Sequence, residues 1–242
     1  RPGDALNWLR NWYLGNVDQI QITPRPKVSR QEEGPTFSLG KVRDLQVESP
    51  YDQSLLHYCH ERSIRPELAS QYLKRVLFRN NRKKKNYYAV GIENRAGGYD
   101  VRNAGFKGCI GSKKDITLIN DRAGGSHILI FEGMFDFLSY LQINSSQEFH
   151  YPTIVLNSTE LIGPAIEWIR NELEQPNPFR QILTFMDNDS TGEKATQRII
   201  EAFKSTDIEI ETMNSFYKDH IDLNAYLVAN KTTAAQTRLE IG

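Results

Sequence analysis

Residues 127–136 read HILIFEGMFD, and this stretch decides the fold that the sequence predicts. Its strand, Ile128–Glu132, is a continuous apolar run up to the acid, as in a strand buried on both faces of a sheet. Further strand-like runs lie at 153–157, 182–187 and 208–212, and they alternate with helical runs at 134–144, 160–174, 190–204 and 220–229. Strand alternating with helix predicts an α/β fold, a parallel sheet flanked by helices.

Two of these strands end in acidic residues. Glu132 closes the first strand, and Asp136 follows one helical turn later on the same side. Asp187 and Asp189 end the third strand, where a spacing of two on extended backbone points both side chains the same way. Ligands bind at the carboxyl ends of parallel strands, and four carboxylates there repel each other unless a hard cation joins them. Such oxygen ligands predict Mg²⁺, with Mn²⁺ as a substitute.

Each acidic motif also has a purely structural interpretation. Asp189 before Ser190 is a common helix N-cap. Glu132-Gly133 is also an ordinary strand-to-helix turn, in which glycine lets the chain bend sharply. The order of the two motifs at the ends of strands in one fold favours the metal site over either interpretation.

The first half of the sequence has a different texture. We predict a helix over 4–14 and a linker with room for one short strand over 15–50, both from an upstream module. A helical pattern follows from Gln53 to about Phe78 with a break at Arg65–Pro66, and then a basic loop at 80–86, strands at 87–92 and 99–103, and an irregular stretch marked by Gly105, Gly108 and Gly111. The predicted domains are therefore 1–50, a smaller basic α+β subdomain at 51–125, and 126–242.

The zero net charge hides an asymmetry. Residues 1–125 hold 22 Lys and Arg against 13 Asp and Glu, whereas residues 126–242 hold 8 against 17. A basic half joined to an acidic half suits a polyanion held by one part and metal ions held by the other. Basic and aromatic residues mix between 79 and 107, which predicts a track for single-stranded nucleic acid formed by Arg79, Arg82, Lys83, Lys84, Lys85, Arg95, Arg102 and Lys107. The alternative is a solvated loop.

Cysteine content and hydropathy argue against a disulfide-rich, a zinc-binding or a membrane protein. Cys59 and Cys109 are too few for a disulfide framework, which favours a reducing cytoplasm. His57, Cys59 and His60 lie close together, but a structural zinc site needs four ligands, so we expect a helical surface cluster and no zinc in this fragment. The apolar runs are far shorter than a membrane span, so no membrane association is expected.

The acidic motifs also support a family resemblance. Glu132-Gly133 with Asp136, followed by Asp187-x-Asp189 and Gly192, resembles the TOPRIM domain of primases, topoisomerases and some nucleases. The segment Asn157-Ser158-Thr159 looks like the small-residue turn between the two acidic motifs of that fold. The resemblance covers roughly residues 126–226 and implies that the acids bind Mg²⁺.

The segment KDHIDLN at 218–224 resembles the lysine-and-acid segment that follows the domain in DnaG-type primases. This resemblance implies that Asp219 or Asp222 completes the metal site. An N-cap on the last helix is the alternative role for Asp222.

A second resemblance covers the basic half. The segment SLLHYCHERSIRPELASQYL at 54–73 is similar to the helical start of the primase polymerase core. The segment NYYAVGIENRAGGYDVRNAGFKG at 86–108 looks like the stretch of that core in which two strands flank "GFxNRxGG". Primases of mobile elements and phage carry this arrangement directly before TOPRIM, and their basic subdomain holds the single-stranded template.

Together the resemblances imply a DnaG-like primase core that makes RNA primers from NTPs on a single-stranded DNA template, with a replicative helicase as a further partner. They imply catalytic roles for Glu132, Asp187 and Asp189. One alternative is another TOPRIM enzyme, a nuclease or topoisomerase fragment, although no G-x-x-x-x-G-K-[ST] loop is present. Another is a non-catalytic DNA-binding accessory protein of a mobile element, which would gain by losing four acids near phosphate.

Overall fold

Two sheets organise the residues that the computed structural model describes, which are 36–121, 125–144, 149–176 and 178–230. The first sheet is antiparallel in the order β1-β2-β3-β4-β5. Its strands are β1 (Phe37–Asp44), β2 (Lys74–Asn80), β3 (Lys85–Glu93), β4 (Tyr99–Asn103) and β5 (Phe106–Ile110). Helices α1 (Gln53–Glu61) and α2 (Pro66–Tyr72) lie between β1 and β2, with Pro66 in the first turn of α2, as predicted.

The first sheet curls until β1 contacts β5. The ring of Phe37 on β1 meets the ring of Phe106 on β5 at 5.0 Å. The concave face therefore encloses a small core of its own, formed by Val76, Phe78, Ala89, Val101 and Ile110. The turns between β2 and β3 and between β4 and β5 lie at one end of this curled sheet, because Asn103 beside the second turn donates a hydrogen bond to the carbonyl oxygen of Tyr88.

The second sheet is mainly parallel and has the order β10-β9-β7-β8-β6. Its strands are β6 (Thr117–Ile119), β7 (His127–Phe131), β8 (Thr153–Val155), β9 (Gln181–Phe185) and β10 (Glu209–Thr212), of which β6 is an antiparallel edge strand. Four helices accompany them: α3 (Met134–Asn144), α4 (Ile162–Leu173), α5 (Ser190–Phe203) and α6 (Leu223–Ala229). Short 3₁₀ turns at Thr159–Leu161 and Met213–Tyr217 complete the described elements.

Alternate residues of β7 and β9 enter two different cores, as expected for strands covered on both faces. Leu129 and Phe131 pack with α3 and α6, whereas Ile128 and Ile130 pack with α4 and α5. The first of these cores also contains Val90 and Ile92 from the convex face of β3, so it joins the two sheets. The predicted α/β class with a preceding α+β subdomain is confirmed.

Several local predictions in the first half are wrong. Residues 74–78 are strand rather than helix, because Val76 and Phe78 alternate with Arg75 and Leu77 across β2. Residues 106–110, predicted as irregular, pair with β4 as β5. The one strand expected in the linker over 15–50 is present as β1, with eight residues, whereas the short edge strand β6 was not predicted. The first sheet thus begins before residue 51, where we predicted the basic subdomain to start, and the second sheet begins before residue 126. The predicted helix at 4–14 lies outside the described residues.

No helix among the described residues combines the length and hydropathy of a membrane-spanning segment.

Candidate active site

The carboxylates of Asp136, Asp187 and Asp222 converge at the carboxyl edge of the second sheet. One oxygen of each lies within 4.8 Å of the other two. Asp136 lies in the first turn of α3 and is 7% exposed, Asp187 follows β9, and Asp222 precedes α6. Three carboxylates at such distances form a set of oxygen ligands that suits a hard divalent cation.

Glu132 directly follows β7 and holds the loop that carries Asp187. Its Oε2 accepts a hydrogen bond from the backbone N–H of Asp187 at 3.1 Å. Burial raises the pKa of Glu132, while the bond from Asp187 and the charge of Lys107 lower it in part. Glu132 therefore faces the acid cluster as a carboxyl group that retains a proton more readily than usual.

The acids destabilise one another in the absence of a cation. Burial, and then the charges of Asp222 and Asp187, raise the pKa of Asp136 well above its ordinary value. Burial, and then Glu132, Asp222 and Asp189, raise the pKa of Asp187 to about 7. A bound cation would remove this repulsion, so the residues present fit the Mg²⁺ that their chemistry implies.

Two glycines make room for the acids. A Cβ on Gly133 would lie 3.0 Å from Oδ2 of Asp136. Glu132 and Gly133 form the bend between β7 and α3, and since Gly133 has no positive φ, it is the closeness of Asp136 that disfavours a side chain there. A Cβ on Gly192 would overlap the carbonyl oxygen of Asp187, so only glycine lets α5 begin this close to the acid.

Asp189 and Asp222 also act as helix N-caps. Oδ1 of Asp189 accepts hydrogen bonds from the N–H groups of Thr191 and Gly192, both at 2.8 Å. Oδ1 of Asp222 accepts from the N–H of Ala225 at 2.6 Å. The structural interpretation of each residue is therefore correct, and for Asp222 it coexists with membership of the acid cluster.

A network of amides and one tyrosine fixes the loop after β9. Asn188 Nδ2 donates to the carbonyl oxygens of Tyr217 and His220 at 3.0 and 2.8 Å. The hydroxyl of Tyr217 and Nδ2 of Asn214 both donate to the carbonyl oxygen of Met186, at 2.9 and 2.8 Å. Sequence reasoning missed these residues, and their only signal is a group of side-chain amides beside the acidic motifs.

Asn224 connects three helices behind the acids. Its backbone N–H donates to Oδ1 of Asp136 at 3.3 Å, and its Nδ2 donates to Ser139 Oγ and to the carbonyl oxygen of Arg62, both at 2.9 Å. Its Oδ1 accepts a bond from Nη1 of Arg62 at 3.1 Å. The guanidinium of Arg62 also lies 4.7 Å from the ring centre of Phe135, so this cation is held in place beside the acids.

The acids line one side of a cleft of about 480 Å³. The opposite side is formed by Arg102 to Lys107, which are the end of β4, the following turn and the start of β5. The charge of Lys107 lowers the pKa of both Glu132 and Asp187, so this lysine acts across the cleft. The cleft thus holds the acids together with Lys107, whose side chain is exposed, and this combination suits a phosphate chain bound there.

The predicted basic track divides into two groups. Arg95 donates to both carboxylate oxygens of Asp115 at 3.0 Å, and the buried Arg102 pairs with Asp100 at 2.8 Å. These two arginines therefore support the sheet through ion pairs, although Arg102 also borders the cleft. The other predicted residues have exposed side chains near the turn ends of the sheet: Arg79, Arg82, Lys83, Lys84, Lys85 and Lys107.

Two further groups of sequence candidates are placed away from the acid cluster. Among the described residues, the group that could hold an ion is Asp136, Asp187 and Asp222, and it does not contain Glu132, Asp189 or Asp219. Cys59 is fully buried in the core beside α3, and burial raises the pKa of its thiol to about 12. Cys59 is therefore a packing residue rather than part of the surface cluster that we expected.

Known protein families and solved structures are similar to parts of this chain. Residues 129–227 match the model of the Toprim-like family, and residues 44–111 match a domain of unknown function, DUF8464. The primase fragment of the bacteriophage T7 primase-helicase protein is similar in structure, with a TM-score of 0.55 and 16% identity over 86% of this chain and 81% of that one. A DNA primase domain from Pseudomonas aeruginosa gives a TM-score of 0.45 and 16% identity over 75% and 70% of the two chains. No curated protein sequence matches the chain.

The parallel sheet with acids at its carboxyl edge is built from the residues that match the Toprim-like family, 129–227. The described residues have a primase-like fold, which is similar to that of the T7 primase fragment. The family resemblance that the sequence motifs indicated is confirmed.

Proposed function

We propose that this chain is a primase-like nucleotidyltransferase core that joins NTPs into RNA primers on a single-stranded DNA template. The observation that carries the proposal is the acid cluster of Asp136, Asp187 and Asp222, which shares one cleft with the cations of Lys107 and Arg62. A carboxylate site alone would suit many metal enzymes. Lys107 and Arg62 add the means to hold a polyanion next to it.

Asp136, Asp187 and Asp222 would hold Mg²⁺ or Mn²⁺ in this proposal. The ions would supply activation of an attacking 3′-hydroxyl and neutralisation of the charge on the pyrophosphate leaving group. Asp189 lies outside the three clustered carboxylates, and its charge raises the pKa of Asp187, so it would act on the same centre through its charge. For Asp219 we propose no metal role, because it lies outside the cluster.

The other residues of the cleft would position the reactants. Glu132, whose pKa is raised, would accept or return a proton at its carboxylate while its Oε2 keeps Asp187 in place. Lys107 and the guanidinium of Arg62 would bind phosphate oxygens from two sides of the acids. The exposed lysines of the β2–β3 turn would hold the template strand, and a replicative helicase would present that strand in the reducing cytoplasm of the host.

The reaction is tested by incorporation of labelled NTPs on a single-stranded template with Mg²⁺ or Mn²⁺. Glu132→Gln should abolish incorporation and leave DNA binding near the parental level, because it removes one charge and keeps the shape. Glu209→Gln is the matched control, since Glu209 is exposed on β10 away from the cleft. Metal-dependent shortening of DNA without synthesis would indicate a nuclease in place of a primase. Absence of both synthesis and cleavage would indicate a non-catalytic DNA-binding protein.

The interface is tested separately through the salt dependence of single-stranded DNA binding. Lys83→Gln with Lys84→Gln should lower the slope of log K against log salt by about 0.7 for each phosphate that is no longer neutralised. Lys194→Gln with Arg198→Gln removes the same charge from the exposed face of α5 and should leave the slope unchanged. Equal slopes for both pairs would reduce the basic turn to a solvated loop.

A further inference from the structure

A second pocket, of about 250 Å³, lies at the end of the curled sheet where the β2–β3 and β4–β5 turns meet. Its lining contains four aromatic rings, from Phe37, Phe78, Tyr87 and Phe106. Phe78 is 1% exposed and forms the floor, whereas the other three rings are only half-buried. The pocket therefore exposes aromatic surface to solvent at this end of the sheet.

The rings surround the pocket rather than fill it. Phe78 and Tyr87 are stacked with centres 5.8 Å apart and planes at 24°. Phe37 meets Phe106 edge-on at 5.0 Å, and Phe106 is tilted at 33° to Phe78. Aromatic side chains in offset and edge-to-face contact form a stable wall for a further planar ring.

Polar groups in the same lining favour a ligand with hydrogen-bonding edges. Asn80 is 9% exposed, and its Oδ1 accepts a bond from the backbone N–H of Lys83 at 2.8 Å. That bond fixes the orientation of the amide, whose Nδ2 is a hydrogen-bond donor. Nδ2 is thus a fixed donor in the lining of an aromatic pocket, which is the arrangement by which sites orient a heterocyclic ring.

Charge and continuity link this pocket to the acid cleft. Lys83 belongs to its lining and is followed in the chain by two more exposed lysines, Lys84 and Lys85. Asn103, Gly105 and Phe106 line both this pocket and the cleft that holds the acids, so the two spaces adjoin. A chain of phosphates that follows the lysines into the cleft passes the mouth of the aromatic pocket.

We infer that this pocket takes one unstacked base of the single-stranded DNA bound along the basic turn. The inference rests on the proposed function, because it assumes that the turn binds such a strand. A volume of about 250 Å³ is below the roughly 300–1,000 Å³ of sites for whole small molecules, which suits a base whose sugar and phosphate stay outside. Every base has a π face, so the pocket contributes affinity and register to many sequences.

The test compares two tyrosines on the concave face of the same sheet. Tyr87→Leu removes a ring of the pocket and keeps apolar volume, whereas Tyr99→Leu makes the same change at the far end of β4, outside the pocket. Single-stranded oligodeoxynucleotides with one abasic position, moved along the strand, are titrated against the parent chain and both variants. Thermal unfolding of each variant checks that the sheet remains folded.

The parent chain should lose affinity at one abasic position, by between about five-fold and one hundred-fold, as expected when one base no longer stacks on an aromatic ring. Tyr87→Leu should weaken binding to the intact strand by a similar factor, and the abasic position should then have little further effect. Its salt dependence should remain parental, since every cation that meets a phosphate is retained.

Three results would overturn the inference, and they separate it from the proposed function. If the parent binds and Tyr87→Leu equals Tyr99→Leu, the pocket holds no base while the proposed function stands. An abasic penalty that persists in full in Tyr87→Leu would place the sensitive base elsewhere. If the parent does not bind single-stranded DNA at all, the inference and the proposed function both fail.

Discussion

Replacing Asp187 by asparagine should stabilise the metal-free protein, although it removes a residue of the proposed active site. Burial and the neighbouring acids raise the pKa of Asp187 from its ordinary 3.8 to about 7. Since the folded state then holds a proton that the unfolded state has lost, the free energy of unfolding falls as pH rises from about 4 to about 7. Above that range the penalty of the ionised group is fully present.

The size of this effect follows from the shift. A rise from 3.8 to about 7 corresponds to ~4 kcal/mol at neutral pH if the side chain were fully shielded from solvent. Asp187 is only partly buried, and screening by water reduces the value to about 2 kcal/mol. Asp187→Asn should therefore raise the free energy of unfolding by about 2 kcal/mol at about pH 8, and by less than half of that at about pH 5.

Urea unfolding in the presence of a chelator measures both values. Asp207→Asn is the control, because Asp207 is exposed before β10 and its replacement changes net charge equally. Addition of Mg²⁺ should reverse the order, since the parent gains stability by binding an ion that the variant binds poorly. A variant less stable than the parent by the same amount at both pH values would show that Asp187 stabilises the fold through its hydrogen bonds and would refute the repulsion argument.

Two further substitutions test which residues build the centre. Asp222→Asn should weaken Mn²⁺ binding in calorimetry while keeping the helix cap, because asparagine caps as well as aspartate, whereas Asp219→Asn should bind as the parent does; equal losses would return Asp219 to the site. Gly192→Ala should lower the free energy of unfolding by about 3 kcal/mol and abolish ion binding, because its methyl group overlaps the main chain of Asp187. Gly163→Ala in α4 meets only the end of Arg198 at 3.9 Å and should be neutral or slightly stabilising, and a similar loss there would point to a general intolerance of alanine.

The second half of the fold was predictable because its signals are local. Apolar runs such as Ile128–Phe131 show a buried strand without reference to any partner, and the acid after the run lies at the functional edge by geometry alone. The first half depends on pairing between distant residues. Phe106–Ile110 contains a glycine and follows another, and it is a strand only because β4 pairs with it and the sheet curls towards β1.

The kinds of residue that form the site were predictable from the sequence, but which individual acidic and basic residues come together there was not. The choice between Asp219 and Asp222 depends on α6 beginning at Leu223, which makes Asp222 the N-cap and turns it towards Asp136. Arg95 and Arg102 looked like part of the basic track, although the spacing of two between Asp100 and Arg102 on β4 places these two side chains on one face. Arg95 and Asp115 lie in connecting segments 20 residues apart in the chain, so only the fold shows that they meet.

The first turn of α6 shares its amide groups with two of the three clustered carboxylates. Asn224 N–H donates to Asp136 and Ala225 N–H donates to Asp222. The position of this helix and the arrangement of the carboxylates therefore depend on each other. By thermodynamic linkage, an ion that favours the present carboxylate arrangement stabilises the docked position of α6. Displacement of α6 near Ala229 should weaken ion binding by the same coupling free energy. A partner attached to the chain after this helix would therefore change the ion affinity of the site. Protection of the Asn224 amide from hydrogen exchange would measure how firmly α6 is docked.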